Sequence, residues 1–330
     1  RRVDVSQPGI NWVRAMTVAA AVTTFNRLES LKRVIESIRA QDRPVDEIIV
    51  VNDLSTDGTR EWLDSQPDLV AIHQPGNFGC ACSFRTVLEA AYQRGHDFAW
   101  AMDDDVFPEP SSLRILLQTA AELRQNGIKV GGLTAYQAQW DEGAMTWLPW
   151  RLPTTLARAF RYRYLSPEVG IERGKGEPEE IDLYPFISTL FTRDAMAACG
   201  FPNQDFFYYG EDTDYAFRLA EQGFKSYIVP KCVVEHAGGG FMAPALLPVS
   251  ANWRYYYMYR NQLTLVRMYG GRLGLLKRFA CQLRILMGLC KRLLMESRRG
   301  NFGACRLALR GAADAFLGRM GKRVAPGATG

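Results

Sequence analysis

The sequence predicts an α/β protein, a parallel sheet covered by helices, followed by a basic helical C-terminal region. Three observations carry this. Strand-like and helix-like segments alternate three times between residues 17 and 105. The strand-like runs break off on polar residues, and the last stops on three consecutive carboxylates. The charge is also lopsided: residues 1–259 hold 25 Lys and Arg against 33 Asp and Glu, whereas residues 260–330 hold 15 against 2. The acidic and the basic part therefore face different partners.

Residues 17–24 (TVAAAVTT) read as the first strand, with Asn26-Arg27 turning out of it. Leu28 to Ala40 carries apolar residues at 28, 31, 34, 35 and 38, a helical period. A second strand, Asp46 to Asn52, ends at Asp53. Ser55-Thr56-Asp57-Gly58-Thr59 is a turn in which Asp57 caps a helix over 59–64. Leu69 to His73 is a short strand, and Asn77-Phe78-Gly79 opens a helix over 80–94. Phe98 to Met102 is the strand that delivers Asp103, Asp104 and Asp105. Residues 134–180, rich in Trp, Arg, Pro and Gly, read as less regular. A strand over 181–192, a helix over 193–199, a helix from Asp212 to Gln222, a strand over 225–229 and a loop through Glu235-His236-Ala237-Gly238 follow.

The chain has 330 residues, 47% of them hydrophobic, enough for one large domain with an appended tail. Seven cysteines, with no CxxC pair or zinc-ligand spacing, point to a reducing, cytoplasmic setting with buried thiols. Met16 to Phe25 is a strand's worth of small and branched residues, neither a secretory signal nor a membrane span. No nucleic-acid-binding motif accompanies the basic tail.

In such sheets, ligands bind beyond the carboxyl ends of the strands, where Asn26, Asp53 and Asp103 fall. Carboxylates as close as Asp103, Asp104 and Asp105 repel one another and favour a cation between them. Oxygen ligation at a strand-end Asp-x-Asp suits a hard divalent ion, Mg²⁺ or Mn²⁺, of the kind that carries substrate phosphates.

Six stretches in order, VTTFNR (22–27), EIIVVNDLSTDGT (47–59), NFG (77–79), MDDDVFPEP (102–110), FFYYGEDTDYAFRLAEQGF (206–224) and VVEHAGGG (233–240), resemble the family 2 glycosyltransferases. Among these, WAMDDDVFPEP and YYYMYRN look most like bacterial galactofuranosyltransferases, with rhamnosyltransferases close behind. The resemblance implies a GT-A nucleotide-sugar-binding fold, a mixed and mostly parallel sheet flanked by helices. It divides residues 17–258 into a nucleotide-binding half (17–110) and an acceptor-binding half (111–258), after an extension over 1–16 and before a tail over 259–330. It implies an inverting, metal-dependent transfer of a sugar, galactofuranose from UDP-galactofuranose, to a polysaccharide or lipid-linked glycan. The alternatives are dTDP-rhamnose as donor, or glycan binding without turnover.

By resemblance, Asp103 and Asp105 hold the metal with His236, and Asp104 reaches the sugar or ribose. Asp53 accepts the uracil N3–H or a ribose hydroxyl, or else only shapes its own turn. Thr23 or Thr24, with Phe25 and Arg27, line the same nucleotide pocket, and Asn77 is the pocket asparagine. The glycines usual after it are replaced by Cys80, Cys82 and Ser83. Direct displacement at the anomeric carbon needs a base for the acceptor hydroxyl. The resemblance places Asp212 in that role, with Glu211 or Asp214 positioning hydroxyls; helix capping is the bland reading of the same acids. Trp140, Trp147, Trp150, Trp253 and Tyr255–Tyr257 are sugar-stacking surfaces or simply core.

In the tail, Lys277, Arg284, Lys291 and Arg298 recur every seven residues, while Leu276, Phe279, Leu283, Leu286, Cys290 and Leu293 fill another face. Such a helix fits an anionic membrane surface, here the inner face of the plasma membrane, or packs on the large domain, or forms an oligomer interface.

Overall fold

The computed structural model describes residues 16–139, 174–237 and 247–330. Trp140, Trp147, Trp150 and the Gly238–Gly240 run lie outside them, as does nearly all of the expected N-terminal extension.

Three strand–helix units open the fold as expected: β1 (Val18–Thr24), α1 (Leu28–Arg39), β2 (Glu47–Asn52), α2 (Thr59–Asp64), β3 (Leu69–His73) and α3 (Cys80–Gln93). Then come β4 (Phe98–Asp103), β5 (Val106–Pro108), α4 (Ser112–Gln125), β6 (Val130–Gln139), β7 (Glu179–Ile181), β8 (Thr189–Thr192), α5 (Arg193–Cys199), α6 (Glu211–Glu221) and β9 (Lys225–His236). Helices α7 (Trp253–Tyr269), α8 (Gly274–Arg298) and α9 (Phe302–Phe316) complete the chain.

The strands form one nine-stranded sheet, ordered β3-β2-β1-β4-β8-β6-β9-β5, with β7 also on β9. The pairs β1–β2, β2–β3, β1–β4 and β6–β9 are parallel, and the remaining pairs antiparallel. The chain winds outward from β1 to β3, then returns to place β4 on the other side of β1. That reversal opens a crevice at the carboxyl ends of β1 and β4.

All seven residues of β1 are buried because both faces of the sheet are covered. Ala19 and Ala21 share a core with Phe84, Val87 and Leu88 of α3. Val18, Ala20 and Val22 share the opposite core with Leu31, Val34 and Ile35 of α1 and Leu116 of α4.

Three stretches differ from the sequence expectation. The strand expected to stop at 229 runs on to His236, because a register shift opposite Ala135 and Tyr136 accommodates Pro230, which lacks a ladder donor. The apolar run 181–192 divides into β7 and β8, interrupted around Pro185 and the positive φ of Ser188. Helix α4, strand β5 and the start of β6 occupy sequence that carried no assignment, and β6 continues to Gln139 into the stretch read as less regular.

The boundary expected at 258/259 falls inside α7. This helix joins the tail to the body through three consecutive tyrosines. Tyr255 donates to Glu296 Oε1 at 2.7 Å, Tyr256 to Asp314 Oδ2 at 2.6 Å and Tyr257 to the Val324 carbonyl at 2.7 Å. Gly311 lets α9 approach closely, since a Cβ there would meet the Tyr256 carbonyl at 2.2 Å. Tyr255–Tyr257 are thus interior residues, not sugar surfaces.

Candidate active site

The parallel register sets Thr23 of β1 directly beside Asp103 of β4. Thr23 Oγ1 donates to Asp103 Oδ1 at 3.4 Å, and Thr24 Oγ1 to Asp104 Oδ2 at 2.8 Å. The Phe25 backbone N–H adds a bond to Asp104 Oδ2 at 3.2 Å. Arg27 donates to Asp104 Oδ1 at 3.4 Å and forms a close ion pair with Asp105 Oδ2. The last two residues of β1 and two of the three that follow it are therefore drawn onto the three aspartates.

His236 arrives from the far end of the sequence. It pairs across the β5–β9 ladder with Val106, and its Nε2 stands 3.2 Å from Asp105 Oδ1. Burial works against both charges, but their mutual hydrogen bond and attraction win. The His236 pKa is raised, and that of Asp105, helped also by Arg27, is lowered. Asp103 lacks such a partner. Burial, then repulsion from Asp105 and Asp104, pushes its pKa up to about 7. Burial raises that of Asp104 to about 6 against the pull of Arg27.

Asp53 reaches beyond its own turn. Its carboxylate accepts the backbone N–H of Phe78 at 2.8 Å and of Gly79 at 2.9 Å, tying the end of β2 to the turn before α3. Gly79 has φ +84°, and a Cβ there would meet the Phe207 carbonyl at 2.2 Å, so glycine is required. Asn77 Oδ1 is buried with no hydrogen-bond partner among the described residues, while its backbone carbonyl accepts from Lys322 Nζ at 2.7 Å. Phe25 and Phe78 leave their rings exposed at this rim. The N-cap of α2 is Gly58, not Asp57; Asp57 precedes it, accepts the Thr59 N–H and hydroxyl, and also receives the Leu28 N–H at the start of α1.

Across the crevice, the loop before α6 is held in an unfavourable backbone. Phe207 and Tyr209 have φ of +62° and +69°, each costing on the order of 1–3 kcal/mol. Two α7 residues fix it. The Asn261 side-chain amide reaches the carbonyls of Phe206, Tyr208 and Tyr209 at 3.0, 2.8 and 2.6 Å, and Arg260 binds those of Asp205 and Phe206. Arg260 and Asn261 were visible only as the RN of YYYMYRN, with nothing local to show what they grip.

Glu211 and Asp212 emerge from this loop with different surroundings. Glu211 is buried; its Oε1 accepts from the Cys80 thiol at 3.2 Å, and its Oε2 has no hydrogen-bond partner among the described residues. Burial, then Asp212, pushes its pKa up to about 8. Asp212 is partly exposed, and burial raises it only to about 6 because Thr213 donates to Oδ1 from both its N–H and its hydroxyl. Asp214 is pulled away from the crevice, binding Arg218 Nε at 3.0 Å and the Tyr269 hydroxyl at 2.6 Å. It locks α6 to α7 rather than positioning a sugar. The replaced glycines find uses too: Cys80 serves Glu211, while Cys82 and Ser83 bond Gln74.

Among the described residues, no three His, Cys, Asp or Glu side chains stand at metal-holding geometry. The chemistry of the donor set nevertheless fits a divalent ion. Asp103 is a half-buried carboxylate whose only side-chain hydrogen bond among the described residues is from Thr23 at 3.4 Å, and Asp105 and His236 adjoin it with oxygen and imidazole nitrogen.

A mixed sheet with acids at the end of β4 and a second acidic pair on the facing helix is the GT-A architecture of nucleotide-sugar-binding proteins. Residues 20–174 match the family model of the glycosyl transferase family 2 proteins. The chain is 27% identical over 212 residues to galactofuranosyltransferase GlfT1 of Mycolicibacterium smegmatis, covering 62% of this chain and 66% of that protein. It is 29% identical over 107 residues to an undecaprenyl-phosphate mannosyltransferase of Micrococcus luteus, covering 31% of this chain and 44% of the relative. The chain thus spans somewhat under two thirds of the curated relatives it matches. In fold it is similar to mannosyltransferase PcManGT of Pyrobaculum calidifontis, solved with GDP-Man and Mn²⁺ (TM-score 0.51, 16% identity, 92% of this chain and 88% of that one). It is also similar to residues 1–349 of S. aureus TarS, solved with UDP (TM-score 0.50, 13% identity, 76% and 65%).

Proposed function

We propose that this protein is an inverting, divalent-metal-dependent glycosyltransferase that moves galactofuranose from UDP-galactofuranose to a polysaccharide or lipid-linked glycan. The observation that carries the reading is the division between the two acids at the mouth of α6. Asp212 is partly exposed and Thr213 donates twice to its carboxylate, favouring the ionised form that can accept a proton; Glu211 is buried against Cys80 and beside Asp212, favouring the protonated form that can donate a hydrogen bond. The likeness to the GlfT1 proteins supports the donor sugar, and the Mn²⁺ and nucleotide complexes of the structural neighbours support a metal and a nucleotide-sugar donor.

Asp103, Asp105 and His236 would hold the ion, which when bound supplies positive charge to the departing diphosphate. Thr23, Thr24, Phe25, Arg27 and Asp104 line the donor side, and Asp53 shapes the turn that carries Asn77. Asp212 takes the acceptor hydroxyl proton on Oδ2, the oxygen that Thr213 leaves free. The acceptor oxygen bonds to the anomeric carbon as the bond to the diphosphate oxygen breaks, with that electron pair leaving on phosphate. One displacement inverts the anomeric configuration. Glu211 holds a hydroxyl of donor or acceptor through its protonated carboxyl.

The test is nucleoside-diphosphate release with Mn²⁺ and each of UDP-galactofuranose, UDP-galactose and dTDP-rhamnose, with lipid-linked glycan as acceptor. Turnover confined to UDP-galactofuranose supports the full reading. Turnover with dTDP-rhamnose alone replaces the donor, and no turnover with any sinks the enzyme reading.

The tail supports a peripheral membrane contact on the acceptor side. No helix among the described residues is long and apolar enough to cross a membrane. On α8, Cys281, Ile285, Leu289 and Glu296 face the body, whereas Leu276, Phe279, Leu283, Met287 and Leu294 are exposed. At about 100° per residue the exposed stripe spans roughly 80° and lies opposite the buried one. Lys277, Arg284, Lys291 and Arg298 run along its edge, exposed. Apolar side chains flanked by cations match an anionic lipid surface.

A further inference from the structure

After α9 the chain turns back across α7 toward the crevice. Its course is fixed at successive residues. The Gly321 N–H donates to the Asp205 carbonyl at 2.8 Å, and Arg260 donates to the Gly321 carbonyl. The N–H groups of Arg323 and Val324 both donate to the Tyr257 hydroxyl at 3.2 Å, and Val324 is buried. Between these anchors stands Lys322, itself exposed. Its ammonium lies 5.5 Å from the Phe207 ring centroid and donates to the Asn77 carbonyl, 245 positions away in the chain.

That carbonyl belongs to the turn whose next two N–H groups Asp53 holds, and whose Asn77 Oδ1 is buried without a hydrogen-bond partner among the described residues. One turn thus carries a carboxylate on one side and an ammonium on the other, at the carboxyl ends of β2 and β3. The positive charge of Lys322 also stabilises the ionised form of Asp53. An ammonium has three donors, and the Asn77 carbonyl uses one.

We propose that Lys322 contacts the donor nucleotide, its ammonium donating to a carbonyl oxygen of a pyrimidine base lodged against the Asp53–Asn77 turn. The inference rests on the nucleotide-sugar reading and extends it: the C-terminal segment is a wall of the nucleotide site, not only part of a membrane-facing tail. Lys322 is a binding residue that touches neither the anomeric carbon nor the acceptor.

The test is calorimetric titration of the full chain with UDP in Mn²⁺, and with inorganic pyrophosphate as a probe of the phosphate side. Lys322→Met keeps the stem and removes the charge, Lys322→Arg keeps a donor, and Lys231→Ala removes a surface charge paired only to Glu177 in the described structure. Loss of one charged hydrogen bond predicts roughly tenfold weaker UDP binding in Lys322→Met. Pyrophosphate affinity and the ligand-free melting temperature stay unchanged, Lys322→Arg recovers most of the loss, and Lys231→Ala behaves as wild type. Wild-type UDP affinity in Lys322→Met overturns the proposal alone. Equal weakening of pyrophosphate moves the contact to the phosphates and overturns the base assignment, and a matching loss in Lys231→Ala reduces the effect to net charge. No UDP binding by the wild type overturns the proposal together with the nucleotide reading.

Discussion

The Cys80 thiol stands 3.2 Å from Glu211 Oε1, joining the first turn of α3 to the first turn of α6 across the crevice. The contact neutralises little. Burial dominates, and the Glu211 carboxyl rises from its ordinary 4.5 to about 8. A carboxyl raised on folding makes the folded state bind a proton that the unfolded state has released. Its contribution to stability is therefore whole below about pH 4.5, declines as pH rises and is gone above about 8. Glu211→Gln mimics the neutral form, so the variant melts close to wild type near pH 4 and a few degrees above it near pH 9. Thermal unfolding across that range is the measurement; parallel curves for the two proteins contradict the buried neutral carboxyl.

In the proposed transfer, Asp212 is the base. It must be ionised to act, so kcat/KM falls with decreasing pH through about 6. Asp212→Asn lowers turnover by roughly 10²–10⁴-fold, the range for a positioned base, and leaves UDP binding intact. Near wild-type turnover in this variant would assign the base elsewhere.

Asn261 is expected to matter as much as the acids it never touches. Removing its amide leaves interior carbonyls unpaired, at a cost on the order of 1–3 kcal/mol, and frees a loop with two positive-φ residues. Asn261→Ala should therefore lose stability in urea titration and lose kcat by about a hundredfold through displacement of Asp212. An unchanged kcat at a temperature where the variant is folded would show that the loop keeps its shape without the clamp.

The exposed α8 stripe predicts binding to vesicles containing anionic lipid and little to neutral ones. Replacing Leu276, Phe279 and Leu283 by Ser should abolish flotation without lowering the melting temperature, because all three are exposed. Equal flotation of wild type and triple variant would remove this face from membrane contact.

The three strand–helix units were legible because each carries its own periodicity and ends on a turn. Asp103–Asp105 were legible because a strand of wholly buried residues that stops on acids can only open into a crevice. Helix α4 was overlooked although its apolar spacing is helical. Strand β9 was cut short because a proline inside a strand normally ends it, and only the paired strand shows the register shift that admits Pro230. The sequence left open which face of α8 is buried. Its sequence offers two apolar stripes, and packing selected Cys281, Ile285 and Leu289, leaving most of the expected face in the open.

By itself the sequence determined the strand–helix alternation, the acids at the end of β4 and α6, and the basic character of the tail, since these depend on near neighbours. Only the tertiary structure decided which of these groups meet. It set His236 against Asp105 through a strand pair, drew Asp53 onto the turn before α3, withdrew Asp214 into the α6–α7 contact and returned Lys322 from the tail to Asn77. It also separated Glu211 from Asp212, adjacent acids whose proton affinities differ because Thr213 donates twice to Asp212 while Glu211 is sealed beside the charge of Asp212. Burial belongs to no single residue, and the proton affinities at this site follow from it.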